Sequence, residues 1–435
     1  MKRILVYSHD TFGLGNIRRM LEVARHLVQS SPDVSVLVIT GSPMLHAFRI
    51  PPRIDYVKLP CLSRNVDGQY GARFLDLSLA ATVRLRANII RSAIADFDPD
   101  LILVDKKPFG VEDELSGALA ALAESERRPK LVLLLRDILD SPEATSRVWR
   151  KNGCFEAIEA YYDQVLVVGE PDIFDLRHEY GFPPFAAAKV AFCGYIARQA
   201  GRRARDDVRR ELGVRGGEPL VLVTPGGGED GQALVDTAVA ALAATPAAQR
   251  PRTHIVCGPE MAEAVRAGVH RAAQAIERAT VQDFSDDMMS LMGAADVVVA
   301  MGGYNTVCEL LTLGRRAVLV PRMKPGLEQF IRAQRMSAAG LVHMLHPAQL
   351  APQALRHAVQ AELAALRGPA APARLRALDG LERTTAALFE LIGLSEPAPA
   401  PRPHAAARPH PRHDPHPTAA PWHRPASIGT APSAC

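Results

Sequence analysis

Short apolar runs alternate with longer stretches of helical periodicity along most of the chain. The runs stand at 3–7 (RILVY), 34–39 (VSVLVI), 54–58, 101–104 (LILV), 131–135 (LVLLL), 165–168 (VLVV) and 190–193, and again at 220–224 (LVLVT), 253–257 (THIVC), 280–283, 296–300 (DVVVA) and 317–320 (AVLV). Most are apolar at consecutive positions, which predicts strands covered on both faces, and the stretches between them predict the covering helices. Strand and helix alternating in this way predict an α/β protein with parallel sheets. The pattern pauses at ARQAGRRARDDVRRELGVRGGEP (197–219), which is arginine-rich and poor in large apolar side chains. We therefore read two doubly wound, Rossmann-like domains, 1–197 and 198–395, with a cleft facing the carboxyl ends of both sets of strands.

From Pro397 the chain is rich in Pro, Ala and His, which predicts a disordered tail over 396–435. The spacing of His404, His410, His413 and His416 in the tail is irregular for a metal site. The formal net charge is +4, and the tail holds four arginines against Asp414, so the body is close to neutral. Bulk charge gives no support to a nucleic-acid partner. The six cysteines show no C-x-x-C pair, and no run approaches a membrane span, so we expect a reduced, cytoplasmic protein.

Three segments carry the candidate chemistry. The strand at 220–224 ends in TPGGGEDG, where Gly227 and Gly228 allow close approach to an anion before a helix near Gln232. In AMGGYNTVCELLTLG (300–314), a strand meets Gly302 and Gly303 and then a helix whose first turn offers Asn305 and Thr306, with Glu309 one turn on. Free amides at that helix start suit a pyrophosphate, and a carboxylate at Glu309 suits the two hydroxyls of a ribose; simple capping by Asn305 and Thr306 is the alternative. The third segment, SHDTFGLGNIRR (8–19), takes the first strand through Gly13 and Gly15 into a basic helix from about Ile17.

The order of these motifs carries more than any one of them. A GGG loop, Cys257-Gly258-Pro259, a D-F-S-D-D-M segment, G-G-Y-N-T-x-x-E-L-L-x-L-G and then Glu328-Gln329 together resemble the nucleotide-sugar domain of GT-B glycosyltransferases. The nearest likeness is to glycosyltransferase family 28, the MurG-like enzymes. It covers roughly residues 1–395 and implies two Rossmann-like domains and a nucleotide-diphosphate sugar donor, UDP-linked, used without metal or other cofactor. It implies a diphosphate against Gly227, Gly228, Asn305 and Thr306, with Gly302 and Gly303 giving close approach, and a ribose at Glu309. The base would be bordered by Phe284, Met288 and the segment after Gly258, and the sugar would be held by Glu328 and Gln329. The acceptor, a saccharide, a lipid-linked sugar or a small molecule, would meet the loop of Gly13, Gly15 and Arg18.

The family places a histidine, the expected general base, where this chain has Asn16. An amide cannot act as a base. His9 or Asp10, at the end of the first strand, then takes that role, His9 first because its ordinary pKa lies near neutrality. Otherwise Asn16 binds the acceptor and positioning carries the reaction, or the protein binds nucleotide sugars without transferring them. A 2-epimerase on the same plan is a further alternative. Asp105 and the pair Arg136-Asp137 are expected at cleft-facing strand ends, with ion pairing at the sheet edge as the simpler role. The 74–97 segment, with Arg84 and Arg91, reads as an amphipathic helix whose polar side meets water or a lipid surface.

Overall fold

The computed structural model describes residues 1–9, 15–45, 48–64, 69–366 and 378–395. Asp10 and Gly13, and the predicted tail, lie outside them. Within unit Met1–Pro397 stand two parallel sheets.

The first sheet has the order β3-β2-β1-β6-β7-β8-β9, with β1 at Lys2–Ser8, β2 at Val34–Thr40, β3 at Ile54–Lys58, β6 at Leu101–Asp105, β7 at Lys130–Arg136, β8 at Gln164–Val168 and β9 at Val190–Phe192. Between β3 and β6 a small antiparallel hairpin, β4 (Leu62–Arg64) and β5 (Tyr70–Ala72), sits apart. The second sheet has the order β12-β11-β10-β13-β14-β15, with β10 at Leu220–Thr224, β11 at Arg252–Val256, β12 at Ala279–Gln282, β13 at Val297–Ala300, β14 at Arg316–Leu319 and β15 at His343–Met344. Every predicted run of consecutive apolar residues forms a strand within a residue or two, because both faces of each central strand are covered: Ile4 to Tyr7, Leu131 to Leu135 and Leu220 to Thr224 are all buried. The hairpin and the two-residue β15 are too short to leave a periodicity.

In each sheet the strand order reverses once, between β1 and β6 and between β10 and β13. Ligands of doubly wound sheets bind outside the strand ends at such points. His9 follows β1, Asp105 ends β6, the GGG loop follows β10, and Gly302-Gly303 follows β13. The three motifs read from the sequence thus come to the two switch points.

The helix Gly15–Ser30 follows β1 and starts two residues earlier than expected. Its buried Ile17, Met20, Leu21, Ala24, Leu27 and Val28 form one stripe at helical spacing. Glycine at its first position is tolerated because the first amides of a helix have no intrahelical partner to lose. The expected 74–97 helix begins at Leu79, where the Ser78 side chain accepts from the Ala81 amide, and leaves Phe74, Leu75 and Leu77 exposed ahead of it.

Candidate active site between the two sheets

The helix Tyr304–Leu313 is bracketed by glycines. Gly302 has φ 80°, Gly303 is the N-cap, and Gly314 closes the far end with φ 58°. Four residues apart, Asn305 and Glu309 share the face predicted for them, and that face meets the helix Gly15–Ser30. Asn305 Nδ2 donates to the Gly15 carbonyl at 3.3 Å, and Arg18 Nη1 stands 2.7 Å from Glu309 Oε1. Glu309 is buried, so its carboxylate is held against the first domain by Arg18. A ribose at Glu309 would share this carboxylate with the Arg18 guanidinium or compete with it.

Arg198, from the arginine-rich segment, is the functional candidate that pattern reading passed over. Its Nη2 donates to Asn305 Oδ1 at 2.5 Å, and its backbone amide donates to Thr312 Oγ1 at 3.0 Å. The side chain is 6% exposed, yet Nε and Nη1 have no partner among the described residues. An unmatched buried guanidinium is costly unless a ligand completes it. It stands beside the start of the Tyr304–Leu313 helix, where free amides favour an anion. Its only sequence signal was its place, first in an arginine run just after β9.

The GGG loop is explained by packing. A side-chain carbon on Gly228 (φ 98°) would lie 2.5 Å from the Cys257 carbonyl, and one on Gly258 (φ 96°) would lie 2.5 Å from the Gly226 and Gly227 carbonyls. The two loops press backbone on backbone, which only glycine permits. Over Gly227 sits the Glu260 carboxylate, 2.7 Å from where a side chain would begin. Burial, with Glu229 and Asp230 nearby, raises the Glu260 pKa. The loop thus carries an acidic rim, of which Asp230 is matched by Arg322.

Glu328 and Gln329 open the helix Glu328–Ala338 and both engage Arg322. Arg322 bridges Glu328 (3.2 Å) and Asp230 of the GGG loop (3.1 Å). Oriented to suit its neighbours, the Gln329 amide donates to the Met301 carbonyl at 2.8 Å and accepts from Arg322 Nε at 3.2 Å. Burial alone would raise the Glu328 pKa, but Arg136, Arg322 and Arg332 lower it, so the carboxylate stays ionised. Phe284 is half exposed beside Met288 at the start of the helix Met288–Ala294, which Asp287 caps.

At the first switch point, His9 is 1% exposed and its backbone amide donates to Asp105 Oδ2 at 3.3 Å. Asn16 Nδ2 donates to the His9 carbonyl at 2.6 Å, which ties the first helix to the end of β1. Asp105 also pairs with the buried Arg19. Asp105 and Asp137 each make the buried ion pair that a strand end can hold, and Asp137 makes its pair with the other domain. Arg332, fully buried in the second domain, grips both Asp137 oxygens at 2.8 Å, and the Tyr195 hydroxyl donates to Asp137 at 3.1 Å. The Tyr304 ring lies 5.7 Å from the Arg19 guanidinium and 5.8 Å from that of Arg332, and its hydroxyl donates to the Val168 carbonyl at 2.9 Å. Tyr304 is thus a buried peg from the second domain set in the first.

Residues 220–377 match the model of the glycosyltransferase family 28 C-terminal domain. A UDP-N-acetylglucosamine--N-acetylmuramyl-(pentapeptide) pyrophosphoryl-undecaprenol N-acetylglucosamine transferase from Chromohalobacter salexigens is 32% identical over 404 residues, which cover 90% of this chain and 97% of that protein. The protein of the same name from Methylobacterium sp. is 33% identical over 208 residues, so there the chain spans about half, 53%, of the relative's length. Among solved structures, the glycotransferase of kitacinnamycin has a TM-score of 0.59 at 15% identity, covering 90% of this chain and 99% of that one. Acinetobacter baumannii MurG has a TM-score of 0.54 at 15% identity, covering 91% and 96%. These likenesses show the GT-B fold with its two Rossmann-like domains, and the chain belongs to glycosyltransferase family 28.

Proposed function

We propose that this protein transfers a sugar from a UDP-linked donor to an acceptor hydroxyl, with inversion at the anomeric carbon. The observation that carries the reading is the meeting, at the second switch point, of a partly unmatched buried guanidinium (Arg198), a glycine-led helix start (Asn305, Thr306) and a buried carboxylate one turn on (Glu309). Diphosphate at the first two and ribose at the third is the arrangement a nucleoside diphosphate requires. The acceptor oxygen attacks the anomeric carbon as the bond to the phosphate oxygen breaks; the electron pair leaves with UDP and the acceptor proton passes to a base. Arg198 and the helix amides stabilise the charge that develops on the departing diphosphate, so the chemistry needs no metal at this step.

His9 and Asp10 are our candidates for the base. Asn16, bound to the His9 carbonyl, ties the first helix to His9. The test is release of UDP from a panel of UDP sugars, with and without oligosaccharide and polyprenyl-phosphate-sugar acceptors. Transfer products, with turnover lost in His9→Ala or Asp10→Ala, support the reading. Epimerised donor without acceptor refutes it in favour of an epimerase, and binding without any product refutes it in favour of a binding protein.

A lipid-linked acceptor is favoured by one surface. Phe74 (69% exposed), Leu75 and Leu77 stand out ahead of the helix Leu79–Phe97, and Leu85 is exposed along it, with Arg73, Arg84 and Arg91 exposed nearby. Apolar side chains flanked by arginine suit an anionic membrane surface. No helix of the described residues is long and apolar enough to cross a membrane, so this contact would be peripheral. Co-sedimentation with phosphatidylglycerol vesicles, lost in a Phe74→Ser, Leu75→Ser variant, checks it; equal sedimentation would refute it.

A further inference from the structure

Six arginines gather where the two sheets face each other, and four of them are matched by carboxylates. Arg18 meets Glu309, Arg19 meets Asp105, Arg332 meets Asp137, and Arg322 meets Asp230 and Glu328. A fifth, Arg198, stands at the helix start already described. The sixth, Arg136, feels the charges of Glu328 and Asp137 but makes no ion pair among the described residues.

Arg136 closes β7. Its hydrogen bonding among the described residues is a 3.5 Å approach of Nη2 to the Leu139 carbonyl, and its Nε is buried without a partner. The loop after it leans on the other domain. Asp140 accepts from the Leu327 amide at 2.8 Å, and a side-chain carbon on Gly326 would lie 2.9 Å from both Asp140 Oδ2 and Glu328 Oε2. Arg136 therefore stands on the first domain's side of the place where Glu328 enters the cleft. The nearby carboxylates are already committed, Asp137 to both arms of Arg332 and Glu328 to Arg322. Burial lowers the Arg136 pKa and the like charges of Arg332 and Arg19 add to this, against opposing pulls from Glu328 and Asp137.

Arg136 is half-buried, and with Nε shut away from water and a poor bond at Nη2 its guanidinium has donors to spare for an anion in the cleft. Its planar donors suit a carboxylate or a phosphate. We propose that Arg136 forms a second anion subsite, separate from the donor diphosphate at Arg198, that takes an anionic group on the reacting side of the substrates. The anion is either the carboxylate of a transferred uronic acid or a phosphate on the acceptor. This rests on the donor reading above, because Glu328 is taken to mark the sugar end of the cleft.

Calorimetry on the full chain separates the two sources. One arm titrates UDP-glucuronate and UDP-glucose into the wild type, Arg136→Gln and Arg136→Lys. The other titrates inorganic phosphate into the same proteins saturated with UDP. Either the wild type should favour UDP-glucuronate over UDP-glucose by about tenfold or more, or it should prefer phosphate, binding it about tenfold or more tighter than Arg136→Gln does, as expected for a charged hydrogen-bond pair. Arg136→Gln should abolish that preference and Arg136→Lys keep part of it. Binding of UDP itself shows that each variant is folded. A wild type that binds UDP but shows neither preference, or a preference that survives Arg136→Gln, overturns the subsite alone. A wild type that fails to bind UDP overturns the donor reading and the subsite with it.

Discussion

Replacing Arg198 by methionine should separate stability from ligand binding, because the two draw on different atoms of the guanidinium. In the absence of ligand, Nε and Nη1 are buried donors without partners among the described residues, and Nη2 alone is satisfied, by Asn305. Each orphaned buried donor costs about 1–3 kcal/mol, whereas one satisfied bond contributes about 1 kcal/mol, or up to about 3 with a charged donor. Methionine fills much of the same volume without a polar head, so the ligand-free variant should be as stable as the wild type or more stable by about 1–3 kcal/mol. With a diphosphate present the sign reverses. Loss of a charged donor to phosphate should weaken UDP binding by about 1.5–3 kcal/mol, roughly 10-fold to 150-fold. Uridine, which lacks phosphates, should bind both proteins alike. Thermal melting without ligand and calorimetric titration with UDP and with uridine read the three quantities. A variant that melts below the wild type and still binds UDP normally would show that Arg198 is a structural cation, and would refute the reasoning.

Three other outcomes follow from the same geometry. Arg18→Gln should tighten UDP binding by less than about 1 kcal/mol, since it removes a competitor for Glu309 that is itself about one-third exposed and so partly screened; weaker binding would mean that Arg18 serves the donor directly. Asp137→Asn leaves the fully buried Arg332 without its carboxylate and should cost about 3–5 kcal/mol, read from the denaturant midpoint, while an unchanged midpoint would show that the Tyr304 peg holds the domains by itself. Burial lowers the pKa of His254, outweighing a hydrogen bond to Gln282, so the folded protein binds its proton less readily than the unfolded chain. Its contribution to stability is complete above the ordinary histidine pKa of about 6.5 and is lost as the pH falls below that toward the lowered folded value; His254→Gln should flatten the decline of the unfolding midpoint between about pH 7 and pH 5.

The sheets were legible because parallel strands covered on both faces must be apolar at consecutive positions, and runs such as LVLLL and LVLVT have no other use for so many large side chains. The switch-point motifs were legible because a strand, two glycines and a helix in quick succession leave a local trace. The arginine network left none. Arg19 meets Asp105 at a separation of 86 residues and Arg332 meets Asp137 at 195, and no spacing rule reaches that far. For the same reason Arg198 read as linker, although it stands with two unmatched nitrogens beside the start of the Tyr304–Leu313 helix. The GGG loop shows how a glycine signal can have two sources: glycine marks close approach, and in the structure Gly228 and Gly258 each press against the neighbouring loop's backbone. Asn16 shows a role that no motif carries, since its amide joins the His9 carbonyl seven residues back.

The central claim, that the cleft takes a nucleoside diphosphate with its ribose on Glu309, is met most directly by titrating UDP and uridine into the wild type and Glu309→Ala. Removing a charged partner of the ribose hydroxyls should weaken both ligands by the same factor, about 1–3 kcal/mol, because both carry the ribose. Unchanged affinity for both would contradict the claim.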